Sequence, residues 1–286
     1  MITLSEKQQI RQWVMAYATT AGSQNKAAAQ IGVSAATLSA LVNEQWEKLK
    51  DEMLRKIADH VRPVNAGEWQ VVATSALREM HTAMDVTRRE GGCLWITGEA
   101  GAGKSTAARL YREENREVFV LLCSEDMRKS DFVRGIAEAI GLSHDGMTVR
   151  ETLNAVTDAL ARMEQPLLIF DEADKPLDNV FHYYINLYNL LEERCGIVFL
   201  STDYIARRIA TGLRHGKRGY KEIHSRIGRK FFQLDATTAH DVAAICAANG
   251  ITDQRQQAII IRESEECDFD LRRVKKSVNR EKKRKA

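Results

Sequence analysis

The residues whose types and spacing best fit a chemical task are Gly98-Glu99-Ala100-Gly101-Ala102-Gly103-Lys104-Ser105-Thr106. An apolar run at residues 93–97 precedes them, and a helical pattern over 105–111 follows. Glycines at this spacing let the backbone curl until successive N–H groups and a helix N-terminus converge on phosphate oxygens. Lys104 has the reach to pair with β- and γ-phosphates, and the Ser105 hydroxyl suits a magnesium shell. The segment predicts a nucleotide site, with ATP and Mg²⁺ as its ligands.

A second constellation matches the first. The apolar run at residues 167–170 ends in Asp171 and Glu172. In an open α/β sheet, carboxylates there lie at the carboxyl edge, where ligands bind. Asp171 is expected to hold Mg²⁺ together with Ser105, and Glu172 to polarise the attacking water. The string Asp171-Glu172-Ala173-Asp174 also occurs in RNA helicases, but too few residues remain for the second lobe such enzymes need. Thr202 follows the fourth apolar run and could position the water; Arg226, in Ser225-Arg226-Ile227, could act on the site of a neighbouring subunit. Arg272, in Leu271-Arg272-Arg273, could sense nucleotide from a lid.

These groups need elements to hold them. Apolar runs at 93–97, 118–123, 167–170, 196–200 and 231–234 alternate with helical patterns. That predicts a five-stranded parallel sheet covered on both faces. Thr148 with Glu151, and Thr238 with Asp241, read as capping boxes. Pro176 reads as first-turn proline of the helix after the third strand, and Gly141 and Gly250 as helix stops. Ahead of the sheet, helices are expected at 5–19, 25–31, 35–43 and 44–60, with a helix-turn-helix around Gly32. Residues 62–67 read as a linker. The expected domains are a helix-turn-helix domain over 1–62, an α/β nucleotide-binding domain over 63–234, and a small helical lid with a basic tail over 235–286.

Composition narrows the function classes. The 286 residues are 44% hydrophobic and 28% charged, as in ordinary globular proteins. Residues 1–9 are polar with no apolar leader, and no apolar run approaches a membrane span, so a cytoplasmic protein without membrane contact is expected. The five cysteines show neither metal nor disulfide spacing. The net charge of +3 is unevenly spread: residues 203–230 carry +7 and residues 272–286 carry +8, which leaves −14 on the chain outside these and residues 1–62. Such segregation predicts a polyanion partner. Arg207, Arg208, Lys217 and Arg218 are the expected phosphate contacts, with Arg128 and Lys129 as a second cluster. Residues 35–43 offer Thr37, Ser39 and Asn43 but no Arg or Lys, so base-specific reading is not expected of that helix.

Taken in order, the phosphate loop, acidic strand end, polar residue, Ser-Arg-Ile segment and lid arginine resemble the AAA+ ATPases with their P-loop (Walker A) and Walker B motifs. More narrowly, over roughly residues 5–275, the chain resembles the transposition ATPases of the phage Mu B type. The strings that carry this are the leading helix-turn-helix, the Gly98–Ser105 loop, Leu168-Ile169-Phe170-Asp171-Glu172-Ala173-Asp174, Gly196-Ile197-Val198-Phe199-Leu200 and Ser225-Arg226-Ile227-Gly228-Arg229-Lys230. Thr202 stands where that family more often has Asn. The resemblance implies ATP-driven self-association into a helical filament or ring on duplex DNA, with little sequence preference. It also implies target marking, activation of a cognate transposase, and hydrolysis that disassembles the complex. A helicase loader in DNA replication and an ATPase-switched transcription regulator are the alternatives. The first would bind a replicative helicase, and the second would protect one operator.

Overall fold

The computed structural model describes residue 2, residues 4–61 and residues 69–285, and the chain divides into two compact units, Met1–Trp69 and Gln70–Ala286. The predicted linker at 62–67 lies outside the described residues. Among the described residues, no helix is long and apolar enough to cross a membrane.

The first unit is helical: α1 (Leu4–Ala21), α2 (Gln24–Ile31), α3 (Ala35–Val42) and α4 (Asp51–Val61). Ile10 and Val14 of α1, Ala28 and Ile31 of α2, Leu38 and Leu41 of α3, and Leu54 and Ile57 of α4 are buried together. Between α2 and α3, Gly32 takes the left-handed conformation at φ 71° and Ser34 caps α3 by accepting from the Thr37 N–H. One expectation fails. The helix predicted over 44–60 is broken, because Glu44 takes φ 59°, Trp46–Lys48 forms a single 3₁₀ turn, and α4 starts only at Asp51. Asp51 and Glu52 suit that start, since acidic side chains in a first turn complement the helix dipole.

The second unit is an α/β sandwich around five strands: β1 (Cys93–Thr97), β2 (Val118–Leu122), β3 (Leu167–Asp171), β4 (Gly196–Ser201) and β5 (Phe232–Gln233). Their order is β2-β3-β4-β1-β5 and every pairing is parallel. The strands are apolar throughout because both faces are covered. Leu168, Phe170, Ile197, Phe199 and Trp95 point into one core, while Leu167, Ile169, Val198, Leu200 and Ile96 point into the other. The first core is aromatic: Trp95 stacks on Phe199 with centroids 4.6 Å apart, and Phe170 stacks on Phe199 at 5.3 Å.

The helices follow the strands in alternation. α6 (Lys104–Glu114) leaves β1, and α7 (Lys129–Ala139) and α8 (Val149–Leu160) lie between β2 and β3. α9 (Asp178–Leu191) follows β3, and α10 (Tyr204–Arg214) and α11 (Tyr220–Arg226) follow β4. Both predicted capping boxes are present. Pro176, however, stands ahead of the Leu177 N-cap of α9 instead of in its first turn. A further helix, α5 (Ser75–Glu90), precedes β1 and is not among the elements the sequence predicts. Its Met80 and Met84 enter the second core. The last strand is two residues long against the four predicted.

Beyond β5 come α12 (Ala239–Ala248), α13 (Gln254–Glu265) and α14 (Leu271–Lys285). The predicted basic tail at 280–285 is therefore the last turns of a helix. Its Val274 and Val278 are fully buried, and Arg280 pairs with Glu263 of α13 at 2.7 Å. Asn249, after α12, exchanges hydrogen bonds with the backbone of Gln70, and Asp241 accepts from the Ser75 N–H. The lid helices are thus tied to the segment that leads into α5.

Close packing of α5 on the sheet gives a direct test. A Cβ on Gly196 would lie 2.9 Å from the Arg88 Cα and 2.9 Å from the Thr87 carbonyl oxygen, both backbone atoms of α5. Backbone cannot swing away, so Gly196→Ala should cost about 1–3 kcal/mol as overpacking. A lower urea midpoint at unchanged m-value is the expected reading.

Candidate functional site

The phosphate loop lies between β1 and α6. Gly101 and Gly103 take φ 85° and 90°, a conformation that side chains disfavour, and Gly103 is the N-cap of α6. Ala107 N–H bonds the Gly103 carbonyl at 2.9 Å, which starts the helix ladder. The Lys104 ammonium folds over the loop and donates to the carbonyls of Gly98 at 2.7 Å and Glu99 at 2.9 Å. Burial pulls its pKa below the ordinary lysine value, while Asp171, Asp174, Asp203 and Glu99 act in the opposite direction. One ammonium therefore faces acidic groups from the ends of β3 and β4 as well as from its own loop. Gly98, Glu99, Ala100, Ala102, Ser105 and Thr106 occupy the remainder of this curl and the first turn of α6.

Asp171 is the last residue of β3 and is buried. Burial raises its carboxyl above the usual range, against hydrogen bonds from the Ser105 hydroxyl and the Glu172 N–H. The latter is 3.0 Å long. Ser105 and Asp171, 66 positions apart in the chain, are thus brought into one site. A hydroxyl and a carboxylate meeting beside a curled glycine loop fit Mg²⁺ held jointly with phosphate oxygens. Among the described residues no group of three or more His, Cys, Asp or Glu side chains could hold a metal by itself.

Glu172 carries an unusual backbone. Its φ is 55°, in the left-handed region that only glycine enters freely. Its carboxylate pairs with Lys175 at 3.1 Å, and its carbonyl accepts from the Lys175 N–H at 3.1 Å. The Ala173 N–H then bonds the Leu200 carbonyl of β4 at 2.9 Å. The Thr202 hydroxyl donates to Asp174 Oδ2 at 3.0 Å. Upstream, Trp95 Nε1 donates to Ser201 Oγ at 2.8 Å, and that hydroxyl donates to the Thr202 carbonyl at 3.0 Å. The ends of β1, β3 and β4 are stitched together around the acidic turn.

The lid also reaches the loop. The Leu271 N–H bonds the Gly101 carbonyl at 3.2 Å, and a Cβ on Gly101 would overlap the Asp270 carboxylate. Arg272 is exposed at the start of α14, next to that contact. Sequence reasoning missed Asp270, whose signal was its place as an Asp one residue before the helix.

Other predicted residues lie elsewhere. Arg226 ends α11, donates to Asn189 Oδ1 at 2.9 Å and lies over the Tyr188 ring. It is close enough to Cys93 to oppose the burial that pushes that thiol to about 12. Cys93 opens β1, whereas the phosphate loop begins after Thr97. Five residues of strand, on the order of 15 Å, separate the two ends. Arg128 is the N-cap of α7, and Lys129 is its first residue; both are exposed. Arg207 and Arg218 are also exposed. Lys217 is exposed but pairs with Asp178 at 3.2 Å.

Arg208 contradicts the expectation of a surface phosphate contact. It is turned inward and donates to the carbonyls of Asp174 at 2.6 Å and Pro176 at 2.8 Å, and to Asp178 Oδ1 at 2.8 Å. Its guanidinium lies 4.2 Å over the Phe181 ring. With four of its five N–H donors engaged and little surface showing, it has little left to offer a phosphate.

The strain at Glu172 is measurable. Both Glu172→Ala and Glu172→Gly remove the carboxylate and its Lys175 partner, but only alanine retains a Cβ in the left-handed region. The glycine variant is expected to be the more stable of the two by about 1 kcal/mol. Paired thermal and urea melts check this.

Residues 87–209 match the family described as AAA domain. No curated protein matches the chain. Solved structures with similarity include Drosophila ORC bound to DNA, at 10% identity and TM-score 0.42, covering 69% of this chain and 52% of that one. NtrX from Brucella abortus is similar at 15% identity and TM-score 0.47, covering 85% of this chain and 56% of that one. The Walker-type ATPase of Pyrococcus abyssi is similar at 13% identity and TM-score 0.43, with 72% and 71% covered. The chain thus spans little more than half the length of the first two. With a phosphate loop after β1, an acidic end to β3 and helices on both sides of a parallel sheet, this chain carries an AAA P-loop domain.

Proposed function

We propose that this chain is an ATP-hydrolysing AAA protein that assembles on duplex DNA to select the target site and activate a transposase. The observation that carries the assembly is the position of Arg226, beside the start of β1 and a strand's length from its own phosphate loop. The guanidinium acts on the nucleotide of the next subunit. Contacts of that kind are head-to-tail, and they give rings or open helices according to whether the rotation closes. Lys104 leaves the Gly98 and Glu99 carbonyls to pair with β- and γ-phosphates, and the glycine curl supplies N–H donors. Ser105 and Asp171 would hold Mg²⁺, which would supply positive charge against the phosphate oxygens. Glu172, released from Lys175, takes hydrogen bonds from the attacking water, and Thr202 with Asp174 lines its approach. The exposed Arg207, Arg218, Arg128 and Lys129 meet DNA phosphates without reading bases. Assignment to transposition rests on the sequence resemblance to ATPases of the phage Mu B type.

Hydrolysis in this scheme needs neighbours. Turnover should rise more than linearly with protein concentration, and Arg226→Ala should lower it on the order of 10³-fold. Mixing Arg226→Ala with Lys104→Ala protein should restore part of the activity, since an intact loop then meets an intact arginine at mixed interfaces. A dilute, demonstrably monomeric sample hydrolysing ATP at the full rate would exclude the scheme.

DNA affinity should be indifferent to sequence and fall steeply with salt. Reversing the charge at Arg207 or Arg218 should flatten the log–log salt slope by about 0.9 for each phosphate left unneutralised. Anisotropy titrations on two unrelated duplexes measure this, and weakening confined to one duplex would contradict it.

A further inference from the structure

Arg208 is placed where the sequence alone suggests a solvent-facing cation, and its contacts point to another task. The side chain is 14% exposed. Guanidinium offers five N–H donors in a rigid fork and cannot shed its charge, so burying one is costly unless its donors are met. Here four of the five are met, by the carbonyls of Asp174 and Pro176, by Asp178 Oδ1 and by the Tyr220 hydroxyl at 3.2 Å. Tyr220 in turn donates to the same Asp178 oxygen at 2.5 Å. Burial acts to raise the Asp178 carboxyl, but hydrogen bonds from Arg208, Tyr220 and Lys217 prevail and hold it down at about 2. Arg208 and Asp178 therefore stay charged at neutral pH.

Two of the four acceptors are backbone carbonyls of one loop, the loop that begins at Glu172. Glu172 and Ala173 are tied at the near end, to Lys175 and to the Leu200 carbonyl. Arg208 grips the far end, at 174 and 176, and fastens it to the first residue of α9. Between these ties, Glu172 keeps a backbone conformation that a relaxed loop would abandon. Thr202 depends on the same grip, because its partner Asp174 is the residue whose carbonyl Arg208 holds.

We infer that Arg208 is a positioning residue for hydrolysis: through the carbonyls of Asp174 and Pro176 it fixes the loop that aims Glu172 and Thr202. The inference rests on the hydrolase reading given above. Arg208 touches neither phosphate nor water, and it acts from the helix next to the exposed Arg207. Arg208 makes none of its hydrogen bonds to the phosphate loop, so nucleotide binding survives removal of the fork while the carboxylate loses its aim.

The test is ATP turnover by Arg208→Gln, Arg208→Lys and Tyr220→Phe, with saturating duplex DNA, beside wild type and Lys104→Ala. Displacing a reacting group by about 1 Å costs up to 10²-fold, so kcat for Arg208→Gln should fall roughly 10- to 100-fold. KM for ATP should stay within about two-fold, the pattern of an interaction made only in the transition state. Arg208→Lys keeps the charge but not the fork and should also be slow. DNA affinity should be unchanged for both. Tyr220→Phe, which keeps the ring, should lower kcat in the same direction by less, and it decides the matter if Arg208→Gln fails to fold. A wild-type kcat in Arg208→Gln, or in Tyr220→Phe where that variant decides, overturns the inference alone, as does a loss of DNA affinity at unchanged kcat. A folded wild type that binds ATP without turning it over overturns the hydrolase reading, and this inference with it.

Discussion

The edge of the α/β unit depends on holding opposite charges together where burial works against both of them. Asp171 at the end of β3 is raised by burial, and Lys104 at the start of α6 is lowered by it. Each offsets part of the penalty on the other, and the Ser105 hydroxyl and Glu172 N–H supply hydrogen bonds to the carboxylate. Such an arrangement needs a stiff frame, because a charge pair that drifts apart in a low-dielectric setting leaves two unpaired charges. Parallel pairing of β1, β3 and β4, with both faces packed, is that frame. The stacked rings of Trp95, Phe170 and Phe199 lie directly beneath the strand ends that carry the charges. Trp95 also reaches the edge itself, through its indole N–H to Ser201.

The frame ends at Asp171, and the next residue is strained. A left-handed glutamate costs about 1–2 kcal/mol, and such a residue persists only where its surroundings over-determine it. The surroundings are identifiable: β4 holds Ala173, Thr202 holds Asp174, and α10 holds the loop through Arg208. Strain at one residue is thus balanced by contacts from two other elements. Those elements, β4 and α10, are consecutive in the chain and joined at Thr202 and Asp203. Any movement of α10 therefore acts on the acidic turn by two routes.

How far this was legible in the sequence depends on the range of the interaction. Strands 93–97 and 167–170 were legible because unbroken apolar runs of that length fit only strands buried on both faces. The capping boxes at Thr148 and Thr238 were legible because both partners lie within three residues. The break at Glu44 was not, since nothing local forbids glutamate from continuing a helix; Gln45 N–H bonding the Ala40 carbonyl and the turn at Trp46–Lys48 decide it. Pro176 misled because first-turn and pre-helix prolines look alike without the N-cap geometry. Arg208 was illegible as a half-buried clamp because three of its four acceptors lie 30 to 34 residues upstream. In sequence it is one of two adjacent arginines, and only the helix phase separates the exposed one from the half-buried one.

That difference changes what the charge segregation means. Successive helix residues are turned by about 100°, so Arg207 and Arg208 cannot share an environment. Of the nine cations in residues 203–230, Arg208 and Lys217 are engaged by Asp178, and Arg226 by Asn189 and the Glu222 carbonyl. In α14, Arg280 pairs with Glu263 and Arg284 with the buried Glu281. Counterion release counts cations that neutralise phosphates, not cations already paired with carboxylates. The +7 and +8 segments therefore overstate the charge presented to a polyanion. A binding surface drawn from Arg207, Arg214, Arg218 and Lys221, all exposed, is narrower than the sequence suggests. Arg207 and Arg214 of that set lie on α10, the helix that grips the acidic loop through Arg208.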